Sequence, residues 1–156
     1  MNVEVKQMPA FHVAYVRHIG PYGKEGIEPA FQKLMSWAGP RGFTESGSVL
    51  GITWDNPEIT APEKCRYDAC ISVPDGTATQ DEIGIQTIPE GNYATYHCEV
   101  YNNDFAKAWN EFFRDWLPGS GYQPDDKPCY ELYHNNASTD PDGKWIVDIC
   151  VPVKPL

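Results

Sequence analysis

Long apolar runs are missing from this 156-residue sequence. The longest extend only a few residues, against the roughly 20 that a membrane-spanning helix needs. Residues 1–20 carry Glu4, Lys6, His12, Arg17 and His18, which deny that stretch the apolar core of a secretory signal. A cytoplasmic protein with no membrane partner is therefore expected. Basic residues are also scarce: 12 Lys and Arg against 22 Asp and Glu give a formal net charge of −10. That balance opposes the counterion release on which phosphate-gripping proteins rely, so direct nucleic-acid binding is not expected. The five cysteines, Cys65, Cys70, Cys98, Cys129 and Cys150, are odd in number and never spaced C-x-x-C. They signal neither a disulfide framework nor a zinc ribbon and read as small buried apolar residues. Phosphate-cradling glycine loops and a G-x-S-x-G elbow are absent, and His12, His18, His97 and His134 are scattered without metal-ligand spacing. Neither a metal nor an organic cofactor is expected.

What the sequence does have is 41% hydrophobic and 13% aromatic residues, enough for one domain spanning 1–156. An internal repeat at a spacing of about 78 to 80 residues organises it. Met8-Pro9 leads into the alternating segment Phe11 to Val16, as Ile88-Pro89 leads into Asn92 to Tyr96, and both read as strands. Ile27, Ala30, Phe31, Leu34, Met35 and Ala38 recur at helical spacing, and so do Phe105, Ala108, Trp109, Phe112, Phe113 and Trp116. Gly39-Pro40 and Pro118-Gly119 stop the two helices. Val49 to Trp54 and Tyr67 to Pro74 supply two further strands, matched by Cys129 to Tyr133 and Ile146 to Pro152. The expected fold is α+β: two pseudo-symmetric β-β-α-β-β repeats, approximately 1–78 and 82–156, forming an antiparallel sheet with two helices and a central ligand groove.

One position stands out. Superposing the matched strands sets Cys129 opposite Leu50, Glu131 opposite Ile52 and Tyr133 opposite Trp54, which puts a carboxylate on a face that is apolar in the first repeat. An unpaired buried carboxylate costs several kcal/mol, so such a residue is paired, hydrogen-bonded, protonated or open to a wet pocket. Glu131 either awaits a cation, or is satisfied by a tyrosine hydroxyl or an internal arginine, or faces solvent in a register shifted by one. Trp109 lies on the inward helix face of the same half. With Tyr133 it offers flat aromatic walls and cation–π faces, and Tyr15, Trp37 and Tyr93 are candidates for further wall.

The opening strand ending in Gly20-Pro21, the helix segment Phe31 to Trp37, Asp55-Asn56-Pro57, the stretch Asp104 to Trp109 and Lys127-Pro128-Cys129-Tyr130-Glu131-Leu132-Tyr133 occur in order across nearly the whole chain. Together they resemble the GyrI-like small-molecule-binding family, which includes the DNA gyrase inhibitory protein and the effector-binding domains of AraC/Rob-type regulators. The resemblance implies a ligand groove whose glutamate binds lipophilic cations, and Glu131 matches that glutamate. It implies a small amphiphilic or cationic aromatic ligand, sensed or sequestered by a stand-alone domain with no residues left for a DNA-reading helix-turn-helix. Two alternatives follow from it: a hydrolase of reactive toxins using the same pocket, and a protein–protein regulator with DNA gyrase as partner.

Overall fold

Alternation of apolar and polar residues generates strands wherever the sequence predicts them, and the computed structural model describes residues 1–156. The elements in chain order are β1 (Val3–Met8), β2 (Phe11–Ile19), α1 (Lys24–Ala38), β3 (Val49–Thr53), β4 (Arg66–Ser72), β5 (Gly84–Ile88), β6 (Gly91–Val100), α2 (Phe105–Glu111), β7 (Tyr122–Pro124), β8 (Cys129–Tyr133) and β9 (Trp145–Pro155). The fold is α+β with antiparallel strands. The β-β-α-β-β order implies a leading strand in each half without placing it, and β1 and β5 fill those positions; the short β7, which pairs with β9, is outside that order.

The chain divides into two compact units, Ala10–Pro89 and Met1–Pro9 with Glu90–Leu156. This division differs from the expected bounds of 1–78 and 82–156, and strand pairing is the reason. β5 precedes β6 in sequence yet hydrogen-bonds to β2, while β1 pairs with β6. β1 ends at Met8-Pro9 and β5 at Ile88-Pro89, where the missing proline N–H ends the ladder.

In the Ala10–Pro89 unit the strand order is β3-β4-β2-β5. One face, with Ala14, Val16, Tyr67, Ala69 and Ile71, is covered by Ala30, Leu34 and Ala38 of α1. The other face carries Asp68, which is fully buried. Its carboxylate accepts hydrogen bonds from Arg17 Nε (2.8 Å) and Nη2 (2.9 Å), Trp54 Nε1 (2.7 Å) and Gln86 Nε2 (2.9 Å).

In the other unit the order is β1-β6-β9-β8. Ala94, Tyr96, Val147, Ile149 and Val151 face Ala108 and Phe112. The predicted helical stripe from Phe105 to Trp116 is realised in two pieces. An α-turn segment runs to Glu111, and a π-helical turn covers Phe112–Trp116. The wider turn lets Phe112 stay buried while Phe113 stacks on Trp109, with centroids 6.2 Å apart. The helix starts where the Asp104 carboxylate accepts the Lys107 N–H, after Asn102 and Asn103 turn through positive φ.

The pairing registers correct the strand superposition. Ile52 is opposite Asp68 and Leu132 is opposite Asp148, while Gly51 is opposite Ala69 and Glu131 is opposite Ile149. Glu131 therefore corresponds to Gly51, not Ile52, and Tyr133 corresponds to Thr53. The carboxylate stands where the Ala10–Pro89 unit has no side chain at all.

Candidate functional site

β8 places Cys129, Glu131 and Tyr133 on the sheet face that α2 covers, as the period of two requires. Glu131 is 5% exposed. Its Oε2 accepts a hydrogen bond from the Trp109 indole at 2.7 Å and its Oε1 accepts one from the Tyr133 hydroxyl at 2.5 Å. Around these donors lies an aromatic shell. The Tyr133 ring meets Phe105 edge-on at 6.2 Å and Trp145 at 5.4 Å, and Trp145 is fixed by its own indole hydrogen bond to Asn103 Oδ1.

Every ion pair in the protein leaves Glu131 out. Burial pushes its carboxyl above the ordinary range, and the two hydrogen bonds from Trp109 and Tyr133 only partly offset that. The tyrosine-hydroxyl alternative read from sequence is thus realised, joined by an indole, and the charge itself has no counter-ion. Two concavities flank α2. The one of about 230 Å³ between the end of β6 and α2 is lined by Tyr96, Cys98 and Glu111, and Glu131 lines neither.

Trp109→Phe keeps a ring against Phe113 but deletes the indole donor. A stability loss of about 1.5 kcal/mol is expected at pH 8, the scale of a hydrogen bond to a charged group. The loss should shrink at pH 4, where the carboxyl is increasingly protonated. Urea denaturation at the two pH values measures both, and equal losses would show that the indole packs without bonding.

The remaining candidates lie elsewhere. Tyr93 is fully buried on the opposite sheet face, against Tyr130 with ring centroids 5.3 Å apart, and burial pushes its hydroxyl up to about 12. It cannot wall the Glu131 site. Tyr15 and Trp37 belong to the Ala10–Pro89 unit. Tyr15 lies across Gly84, where a Cβ would come within 2.6 Å of the phenol, and the Arg17 guanidinium sits 5.7 Å from its ring. Trp37 donates its indole N–H to Gln80 and stacks under Arg41. Burial pushes the Cys98 thiol up to about 12 and the Cys129 thiol up to about 11, which disfavours the nucleophilic thiolate.

Sequence spacing missed a second cluster. His97 Nδ1 is 2.7 Å from Asp148 Oδ1 and His134 Nε2 is 3.0 Å from Asp148 Oδ2. Three separate segments supply these residues, so no local motif announces them.

A family model for the GyrI-like small molecule binding domain matches residues 1–154. The chain belongs to this family. It is 35% identical to a DNA gyrase inhibitor of Serratia proteamaculans over 99% of both chains. Among solved structures, the EcmrR C-terminal domain is similar with a TM-score of 0.76 at 17% identity, covering 99% of this chain and 98% of that one. SAV2435 bound to tetraphenylphosphonium is similar with a TM-score of 0.66 at 15% identity, covering 99% and 94%. No helix is long and apolar enough to cross a membrane.

Proposed function

We propose that this GyrI-like chain binds amphiphilic organic cations, with Glu131 as the countercharge and Trp109 and Tyr133 as the ring faces. The observation that carries the reading is a buried carboxylate held by two neutral donors and no cation. A cation relieves that poorly solvated charge whereas a neutral molecule of the same shape does not, so charge decides selectivity more than outline does. Ring burial supplies the rest of the affinity and tolerates varied shapes. The ligand named for SAV2435 supports the choice of a lipophilic cation as probe.

Titration with tetraphenylphosphonium, followed by tryptophan fluorescence, is the test. Glu131→Gln should weaken binding about tenfold, or about 1.4 kcal/mol, while triphenylphosphine oxide, which is neutral, should lose much less. Equal losses for both ligands would remove the countercharge role. Product masses read from the same incubations, with strained electrophiles added, separate binding from hydrolysis. Multiple turnovers lost in Glu131→Gln would make the chain a hydrolase. The name of the Serratia relative supports a second reading as a regulator of DNA gyrase. Supercoiling by purified gyrase with and without the chain tests it.

A further inference from the structure

We infer that His97, His134 and Asp148 form a binding site for a late first-row divalent cation such as Zn²⁺, on the sheet face away from Glu131. The ligand atoms of the three residues all lie within 4.8 Å of one another. Register assembles them: His97 is paired directly with Asp148 across β6 and β9, Leu132 is paired with Asp148 across β8 and β9, and His134 follows two positions after Leu132 on the same side. Two imidazoles and one carboxylate form a donor set suited to zinc, nickel, copper or ferrous iron, with coordination positions left for water.

The other unit provides the contrast. Arg17, Asp68 and Trp54 occupy the positions that His97, Asp148 and His134 occupy here, each 80 residues earlier and in the same pairing register. There the buried aspartate is neutralised by a guanidinium that never loses its charge. Asp148, 9% exposed, is met instead by two imidazoles, whose ring nitrogens can offer a lone pair to a metal where a guanidinium cannot. The built-in cation of one unit is replaced in the other by two groups able to hold an external one. The neighbouring charges leave the position open to it: Glu99, on the same side of β6, is already paired with Lys144 at 2.7 Å.

Access and geometry agree with this assignment. The His97 and His134 side chains are 50% and 40% exposed, so an ion enters without unfolding. Zinc–nitrogen and zinc–oxygen bonds of about 2.0 to 2.2 Å require the donors to stand roughly 3.3 Å apart. The two histidine–carboxylate separations, 2.7 and 3.0 Å, need to open by roughly half an ångström, and the imidazoles to close from at most 4.8 Å. A net charge of −10 favours cation approach.

Isothermal titration of chelator-treated protein with ZnSO₄ at pH 7.5, under a reducing agent that does not bind zinc, tests the site. One saturable equivalent is expected, weakened at least tenfold by His97→Asn and by His134→Asn, with a rise in Tm on zinc addition that both variants abolish. Both histidines are exposed enough for the variants to fold, which circular dichroism checks. Co²⁺ absorption should lack thiolate charge-transfer bands, separating this site from the five cysteines. Absence of a saturable equivalent would overturn the assignment, as would binding unaffected by both variants. Stabilisation by protons alone below pH 6, with no zinc effect above it, would reduce the cluster to a histidine–carboxylate ion pair.

Discussion

Arg17→Met should destabilise the protein by about 3 kcal/mol, the largest single-residue electrostatic effect expected in this chain. Asp68 is fully buried, and of its four hydrogen bonds only the two from Arg17 bring positive charge. With methionine in place the alkyl packing survives, but a carboxylate remains among the neutral donors Trp54 and Gln86. Breaking a buried pair in this way costs about 3 to 5 kcal/mol. The lower end applies because the Arg17 side chain is 36% exposed and water can follow it out. Urea denaturation of the variant gives the number, and adding Asp68→Asn should recover much of the loss, since an amide carries no charge to strand. A loss below about 1 kcal/mol would mean that solvent already serves Asp68.

Glu131→Gln should act in the opposite direction, stabilising the protein by about 2 kcal/mol at pH 8. The folded carboxyl has its pKa raised above the ordinary 4.5 by burial, so between that value and the raised one the folded state holds more protons than the unfolded. Stability contributed by the group therefore falls as pH rises through this window, and the whole penalty is present above it. The amide that replaces it never ionises, so the gap between variant and parent should be near zero at pH 4, open upward and level off. Thermal melts of both proteins from pH 4 to 8 trace it, because the other carboxylates cancel in the difference. A variant less stable than the parent at pH 8 would show that Trp109 and Tyr133 more than offset the burial cost. Together with the expected loss of cation affinity, the gain would mark Glu131 as a residue that serves binding at the expense of the fold.

Much of the fold is legible in the sequence. The strands at Phe11, Val49, Cys129 and Trp145 announce themselves by alternation, and the stripe from Ile27 to Ala38 by helical period. The same alternation sets Glu131 on an inward face beside Trp109 and Tyr133, and both residues donate hydrogen bonds to it. Its counterpart in the other unit is misassigned by one position because hydrophobic pattern alone cannot separate Gly51 from Ile52, and only the ladder to β4 and β9 can. Tyr93 is drawn toward the site because aromatic residues on neighbouring strands look alike in sequence whichever face they take. The histidine–aspartate cluster escapes because its members are 14 to 51 positions apart. The one signal that finds it is a comparison across the repeat, arginine at 17 against histidine at 97.

The partnership of β1 with β6 also bears on how the chain is made. Val3–Met8 leaves the ribosome before the other strands, yet its hydrogen-bonding partner runs from Gly91 to Val100. The Ala10–Pro89 unit has all its strands in hand before that partner emerges and can close on its own contacts. Until then the opening strand is a bare edge of alternating apolar and charged residues, Val-Glu-Val-Lys-Gln-Met, with Glu4 and Lys6 interrupting a sequence otherwise suited to pairing with another nascent copy. Charges so placed on an edge strand oppose edge-to-edge pairing, whatever little they add to the finished protein.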